Sequence, residues 1–454
     1  MNQSKRSNRV TVVGAGLAGS EAAWQLVQRG LEVDLYEMRP LEQTPAHMTD
    51  RCGELVCSNS LGSTVGSTPA ALLKDEMRAF NSVILRVAEQ SQVPGGSALT
   101  VDRDEFSRQL TATLEQHSKI HLRRAVVSEI PQGPTIIATG PLTHRDLGHS
   151  LVAFFGESFL SFFDAAAPIV LAESVDRAQA FWGSREGSQD YLNCPLTKDQ
   201  YLTFYHALME AEQHPRHDFE TNTAFFEGCL PIEELARRGQ KTPLFGPMKP
   251  IGLSNPLEGG RRPYAVVQLR QDNAAGSLLS LVGFQTNLRW GEQKRVFSLI
   301  PALRNAEFVR YGVMHRNTYL RSPKFLEPGL SAKTRPSLWF AGQMTGVEGY
   351  VESAATGIMA AINASRWCQG KSEMVWPRDT MMGALAHYIT HTDPEHFQPM
   401  NANYGVLPIA PEIAQIQEKK ERRRLLRSQA MTSLTSFIRE LEADDRGYAH
   451  AIIQ

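Results

Sequence analysis

Apolar and polar positions near the N-terminus follow a strand, then a helix, then a strand within about thirty residues. The valine-rich segment Arg9–Val13 predicts a buried strand, and a glycine-rich turn follows it directly. Residues 20–29 have helical spacing of apolar positions and end at Gly30. Residues 31–36 predict a second strand, which Glu37 closes. This order is typical of a dinucleotide-binding β-α-β unit.

Each small or acidic residue of this unit has a physical role in holding a dinucleotide. Gly14 permits the tight turn, Gly16 lets the backbone approach a pyrophosphate, and Gly19 lets the helix pack close to the sheet. The free N–H groups of the helix N-terminus face the phosphates, and the terminal acid accepts hydrogen bonds from a ribose. The predicted cofactor-binding residues here are Gly14, Ala15, Gly16, Leu17, Ala18, Gly19 and Glu37.

A second glycine-containing pattern occurs close to the C-terminus. Residues 337–342 predict a strand that ends in glycine, residues 343–352 a loop, and residues 353–368 a helix of small residues. A helix of this kind directs its N-terminal dipole at a flavin in many flavoproteins. We therefore assign Gly342, Gln343 and Tyr350 to the same FAD site. No second G-x-G-x-x-G is present, so a nicotinamide that reduces the flavin is expected to dock transiently.

The two patterns predict an α/β fold class, with a discontinuous Rossmann-like FAD-binding domain and an inserted α+β substrate domain. A strand at 136–141 and an apolar run at 162–171 lie where the first domain half ends and the insertion begins. The predicted boundaries are 1–160 for the first half, 161–324 for the insertion that is expected to hold the substrate, and 325–454 for the second half with C-terminal helices.

Composition and cysteine spacing exclude several classes of protein. The chain has 454 residues, of which 42% are hydrophobic and 21% charged, as in an ordinary globular protein of two or three domains. No apolar run reaches the roughly 18 residues of a membrane span, and the N-terminus does not resemble a signal peptide, so we expect a cytoplasmic protein. Five scattered cysteines without a C-x-x-C pair favour neither a disulfide framework nor a metal site.

The global net charge of -1 conceals a local imbalance. Residues 235–340 contain 17 Lys and Arg against 5 Asp and Glu, and residues 417–427, QEKKERRRLLR, add a basic cluster at helical spacing. Basic surfaces of this kind attract nucleic-acid phosphates. The alternative is that acidic residues from elsewhere in the fold pair with these charges.

Five segments together resemble the folate- and FAD-dependent tRNA uracil-5-methyltransferases. They are GAGLAGSEAAWQL, GELVCSNSLG, FEGCLPIEELA, AGQMTGVEGYVESAATGIMAAINA and PMNANYGVLP, spread from about residue 10 to about residue 410. The AGQ-TG-GY-E-AA pattern is also similar in longer flavoproteins that install carboxymethylaminomethyl groups at wobble uridines of tRNA. Cys52, five residues before Cys57, departs from the family pattern.

The resemblance implies that a T-loop uridine of tRNA becomes 5-methyluridine. Methylenetetrahydrofolate would give the carbon, reduced FAD the hydride, and NAD(P)H the reducing equivalents, without an obligate protein partner. It also implies that Cys57 and Cys229 are functional. A thiolate that adds to C6 makes C5 of uracil nucleophilic, and cysteine suits this step. We predict that Cys229 attacks C6 and that Cys57 assists, while the reverse assignment stays open.

Trp290 is a candidate to stack on the pterin, and a buried core tryptophan is the alternative.

Three alternative functions of the chain stay open from the sequence. A flavin oxidoreductase of a small molecule would explain the FAD motifs but leave both cysteines unused. A wobble-uridine modification protein and a non-catalytic flavin-containing RNA-binding protein are the other two alternatives.

Overall fold

The predicted strand–helix–strand unit forms the centre of a six-stranded sheet in the computed structural model, which describes residues 7–44, 46–214, 230–312 and 314–453. In spatial order, the strands of this first sheet are Ser331–Ala332, Arg335–Phe340, Thr135–Ile137, Arg9–Val13, Glu32–Glu37 and Ile120–Arg124. All neighbours are parallel except Ser331–Ala332 and Arg335–Phe340, which are antiparallel. The two distant sequence patterns therefore build one sheet.

Two helices cover this sheet and pack closely against each other. The first helix is Leu17–Gln28 and the late helix is Tyr350–Cys368. The predicted starts at residues 20 and 353 are both wrong by three residues, because glycines cap the two helices. Gly16 has an extended backbone (φ -70°, ψ -167°) and Gly349 has φ 121°, so each helix begins directly after its glycine. Both helix N-termini consequently lie nearer the glycine turns than the apolar periodicity indicated.

A second sheet is built from chain that lies between the halves of the first. Its strands, in spatial order, are Phe181–Trp182, Tyr191–Leu196, Ala265–Gln271, Leu278–Leu281, Ile169–Leu171 and Phe308–Arg310, and all neighbours are antiparallel. The apolar run at 162–171 is divided between Leu160–Ala165, which pairs with Met314–Tyr319, and Ile169–Leu171. The domain boundaries themselves stay predictions.

The remaining elements surround these two sheets, each of which has its own apolar core. A small third sheet contains Ser60–Ser63, Gln92–Val93 and Ala98–Val101. The other helices are Pro69–Ala79, Val83–Gln90, Arg103–Glu115, Arg145–Phe155, Lys198–Glu210, Ile232–Arg237, Trp290–Phe297, Ser322–Phe325, Met381–His391, Pro411–Ala414 and Lys419–Ile453. Within the part of the chain that the structure describes, no helix has the length and apolar content needed to cross a membrane.

Candidate active site

One cleft collects most of the predicted site residues at the carboxyl ends of the first-sheet strands. Its lining includes Gly14, Gly16, Leu17, Ala18, Glu37, Cys57, Gly342, Gln343 and Tyr350. Ala15 and Gly19 do not line it. The Ala15 amide instead donates to Glu37 Oε2 at 3.2 Å, and Gly19 faces the turn behind the cleft. Ligands bind at this edge in open α/β sheets.

The three glycines of the turn do different work. Gly14 has φ +99°, and a Cβ there would lie 2.6 Å from the carbonyl oxygen of Ala138. A Cβ on Gly19 would lie 1.8 Å from the carbonyl oxygen of Gly14. Gly16, by contrast, would meet nothing within 4 Å. Packing of the protein thus requires Gly14 and Gly19, whereas Gly16 borders open space of the kind that a diphosphate requires.

Glu37 ends its strand at the cleft, as predicted. Arg39, which the sequence analysis missed, binds the carboxylate of Glu37. Its Oε1 accepts from the backbone N–H of Arg39 at 3.1 Å and from Arg39 Nε at 2.8 Å. Burial opposes ionisation of Glu37, yet the hydrogen bonds and charge of Arg39 outweigh it and lower the pKa of this carboxyl. The carboxylate is therefore ionised and able to accept further hydrogen bonds.

Arg39 also fixes the loop that follows the second strand. Its Nη1 donates to Glu54 Oε2 at 3.1 Å, and Glu54 accepts from the amides of Met48 at 2.7 Å and Thr49 at 3.0 Å. Arg39 and Glu54 both line the cleft. No periodicity marks this loop, and the only available signal was an arginine two residues after the terminal acid.

Cys57 lies in the cleft beside the start of the late helix. It is half-buried, and its amide N–H donates to the phenolic oxygen of Tyr350 at 2.8 Å. The Ser58 amide donates to the same oxygen at 3.2 Å. Burial and the neighbouring Cys57 raise the pKa of Tyr350, so this phenol stays protonated. A hydrogen bond thus joins Cys57 to Tyr350, although the two residues are almost three hundred positions apart in the sequence.

The other described cysteines are poor nucleophiles. Burial raises the pKa of Cys52 and of Cys194 to about 12, and Cys368 is also buried. A buried thiol with a raised pKa is inert at neutral pH. Among the described residues, Cys57 is the cysteine that lines the cleft, so the nearby Cys52 does not compete with it. The predicted Cys229 lies outside the described residues.

Trp290 is neither buried in the core nor part of the cleft lining. Its side chain is 56% exposed and stacks on Tyr311, with ring centroids 5.8 Å apart and an interplanar angle of 12°. Tyr311 stacks in turn on Phe308, at 5.6 Å and 9°. The alternative of a core tryptophan is therefore wrong, and Trp290 instead forms the exposed end of an aromatic stack.

Several basic residues at 235–340 form ion pairs, three of them with the distant acids Glu157 and Glu212 and two with acids three positions away in the chain. The ion pairs include Arg289 with Glu212 at 2.8 Å, Arg295 with Glu292 at 2.6 Å, Arg321 with Glu157 at 2.8 Å, Arg237 with Glu234, and Lys324 with Glu157. Arg261 and Arg262 are exposed and have no ion pair within the described ranges. The local charge count therefore overestimated the unpaired positive charge of this segment.

Comparison with known proteins gives strong similarity along almost the whole chain. Residues 9–372 match the family model described as glucose inhibited division protein A. The chain is 54% identical to the methylenetetrahydrofolate–tRNA-(uracil-5-)-methyltransferase TrmFO of Exiguobacterium sp., over 94% of this chain and 98% of that protein. Identity to the proteins of the same name is 55% in Lacticaseibacillus paracasei, over 94% and 97%, and 53% in Bacillus subtilis, over 94% and 98%.

A solved structure of GidA from Aquifex aeolicus has a similar fold. It superposes with a TM-score of 0.66 over 96% of this chain and 78% of that chain, at 14% sequence identity. At this identity the similarity concerns the fold alone. It supports a fold of mixed α/β composition with a parallel sheet.

Proposed function

Because this chain belongs to the glucose inhibited division protein A family, we propose that it is a methylenetetrahydrofolate-dependent tRNA (uracil-5-)-methyltransferase. The observation that carries this conclusion is 53–55% identity to enzymes of that name over 94% of the chain. The match spans 97–98% of those relatives, so their length agrees with that of this chain. That agreement argues against the longer wobble-uridine flavoproteins.

We propose that the cleft holds FAD. The N-terminus of the first helix, which begins directly after Gly16, would hold the pyrophosphate, and Glu37 the ribose. Gly342 and Gln343 precede the late helix, whose N-terminus would face the ring system. Reduced FAD, when bound there, supplies the hydride that completes the methyl group, and NAD(P)H is the proposed reductant.

In the proposed reaction, cysteine thiols of this chain would act on a uridine that is turned out of the tRNA T-loop. A thiolate would add to C6 and make C5 nucleophilic, and a second group would remove the C5 proton. Cys57 in the cleft and Cys229 are the proposed pair. Tyr350 would not touch the base in this scheme, since its oxygen holds the backbone of Cys57 and Ser58.

Trp290 is a proposed folate contact. Its exposed face and the parallel rings of Tyr311 and Phe308 behind it give a rigid platform for a flat heterocycle. The strand that carries Phe308 ends at Arg310, whose Nη2 donates to Val56 O, next to Cys57. Because Phe308 is two residues from Arg310, this hydrogen bond supports a platform close to the proposed reaction site.

We propose that the loop following the helix Ile232–Arg237 contributes to tRNA binding. Phe245, Ile251 and Leu257 are 78%, 50% and 51% exposed, and Arg261 and Arg262 are exposed beside them in the chain. Basic residues interleaved with exposed apolar ones suit a phosphate backbone with accessible bases.

An Arg261→Ala/Arg262→Ala double variant is expected to bind tRNA more weakly, with a less steep dependence on salt. Each lost phosphate contact lowers the slope of log Kd against log salt by roughly one. The measurement is tRNA affinity by filter binding at several salt concentrations. The Arg108→Ala/Arg123→Ala double variant removes the same charge from exposed positions elsewhere and should keep the wild-type slope. Equal slopes in all three proteins would contradict the assignment.

The activity itself is tested with labelled methylenetetrahydrofolate. Purified protein, unmodified tRNA and NAD(P)H should together give label in 5-methyluridine. A tRNA with cytidine at the target position should give none. Label transfer or NAD(P)H consumption that does not require tRNA would instead indicate an oxidoreductase of a small molecule.

A further inference from the structure

The backbone around Cys57 is held by hydrogen bonds from both sides. We define the cysteine loop as residues 55–59. Arg103 Nη1 donates to Leu55 O at 2.8 Å, Arg310 Nη2 to Val56 O at 2.6 Å, and Arg103 Nη2 to Cys57 O at 3.4 Å. Three successive carbonyls are thus bound by two guanidinium groups, while Tyr350 accepts from the amides on the opposite side.

The two arginines belong to different parts of the fold. Arg103 begins the helix Arg103–Glu115, which lies in the sequence of the first half, and Arg310 ends a strand of the second sheet. Asp272, which follows another strand of the second sheet, accepts a hydrogen bond from Arg103 Nη2 at 3.2 Å, and its other oxygen lies 3.1 Å from Arg103 Nε. The ion pair therefore joins Arg103 to the second sheet.

These groups are also largely removed from water. The side chains of Arg103 and Asp272 are 14% and 4% exposed. Burial and the neighbouring charge of Arg103 lower the pKa of Arg310. Asn59 adds a further contact across the boundary, since its Nδ2 donates to Gln271 O at 3.0 Å. Hydrogen bonds between charged and backbone groups in such surroundings are costly to lose.

We propose that Arg310 and the Arg103–Asp272 pair are positioning residues, through which the second sheet sets the place of Cys57 in the cleft. Neither arginine needs to touch substrate for this role. The part that concerns catalysis rests on the proposed function. A displacement of about 1 Å at a reacting group can cost about a hundredfold in rate, so the position of this loop matters for turnover.

The proposal is tested with Arg310→Met, which removes the donor and keeps most of the side-chain length. Two measurements are made on the flavin-containing protein. Hydrogen exchange of the peptide containing residues 55–59 should become about tenfold faster, because the loop loses its anchor at Val56 O and opens more often, which exposes the amides of Cys57 and Ser58. The kcat for tRNA methylation should fall at least tenfold while the KM for tRNA stays the same.

Two further variants separate positioning from general damage. Arg310→Lys retains a donor, so the changes in hydrogen exchange and in kcat should be smaller than those of Arg310→Met. Arg335→Met removes a guanidinium that donates to Pro131 O at 2.7 Å and Gly133 O at 2.8 Å, away from the cysteine loop, and should change neither measurement. If Arg310→Met does not fold, Asp272→Asn keeps both arginines and gives the same two measurements.

The outcomes distinguish this inference from the proposed function. Unchanged exchange at residues 55–59 in a folded variant overturns the positioning role. Faster exchange with unchanged kcat overturns its importance for turnover. A wild-type protein that does not methylate tRNA contradicts the proposed function, whereas the exchange measurement still decides whether Arg310 fixes the loop.

Discussion

A Gly16→Val variant should fold normally and purify without flavin. Gly16 has a φ of -70°, which a valine adopts easily, and an added Cβ there meets no protein atom within 4 Å. Its side chain would point into the space where the pyrophosphate is proposed to lie, and would cover the N–H groups of the first helix. The measurement is flavin absorbance relative to protein after purification, with thermal unfolding as the check on folding.

Two other glycine variants make this test specific. Gly291→Val adds the same side chain within the helix Trp290–Phe297, at a position where an added Cβ meets no atom within 4 Å and which lies outside the cleft lining, and should retain flavin. Gly19→Val would place a Cβ 1.8 Å from the carbonyl oxygen of Gly14, so it should destabilise the whole first sheet. A Gly16→Val protein with a full complement of flavin would show that the pyrophosphate lies elsewhere.

A Cys229→Ala variant should lose the covalent complex with tRNA that carries 5-fluorouridine at the target position. Addition of the thiolate to C6 links protein and RNA, and fluorine at C5 cannot leave as a proton does, so the link persists. Cys57→Ala should still form the complex, because Cys57 is proposed to transfer a proton or to protect the flavin site. The measurement is a shifted band on a denaturing gel.

The opposite pattern would reverse the two roles. Trapping that requires Cys57 and not Cys229 assigns the nucleophile to the cleft residue beside Tyr350. Cys194→Ala is the matched control, since its thiol is fully buried with a pKa raised to about 12. If neither Cys57→Ala nor Cys229→Ala affects trapping or methylation, the proposed thiol mechanism is wrong.

The features that the sequence predicted well depend on local physical rules. The strand, glycine turn and helix from Arg9–Val13 onward follow from apolar periodicity and from the positions where only glycine fits. The late strand was predictable for the same reason. Both helix starts were placed three residues late, because capping by Gly16 and Gly349 decides a helix start and apolar spacing does not.

The features that could not be predicted depend on contacts between distant residues. Arg310 and Val56 are separated by 254 positions, and nothing near either one indicates the other. The charge of the basic segment was misjudged for the same reason, since Glu157 and Glu212 lie well outside it in sequence. Arg39 was missed although it is adjacent to the motif, because its role depends on the folded loop around Glu54.

The order of the strands has a consequence for synthesis on the ribosome. Thr135–Ile137 pairs with Arg335–Phe340, and the first helix packs on Tyr350–Cys368. The cleft beside the N-terminal glycine turn is therefore complete only when these late elements have been synthesised. The strands of the second sheet all lie between residues 169 and 310 and leave the ribosome earlier. All strands of the second sheet can therefore be available to the nascent chain before the cleft proposed to hold the flavin is complete.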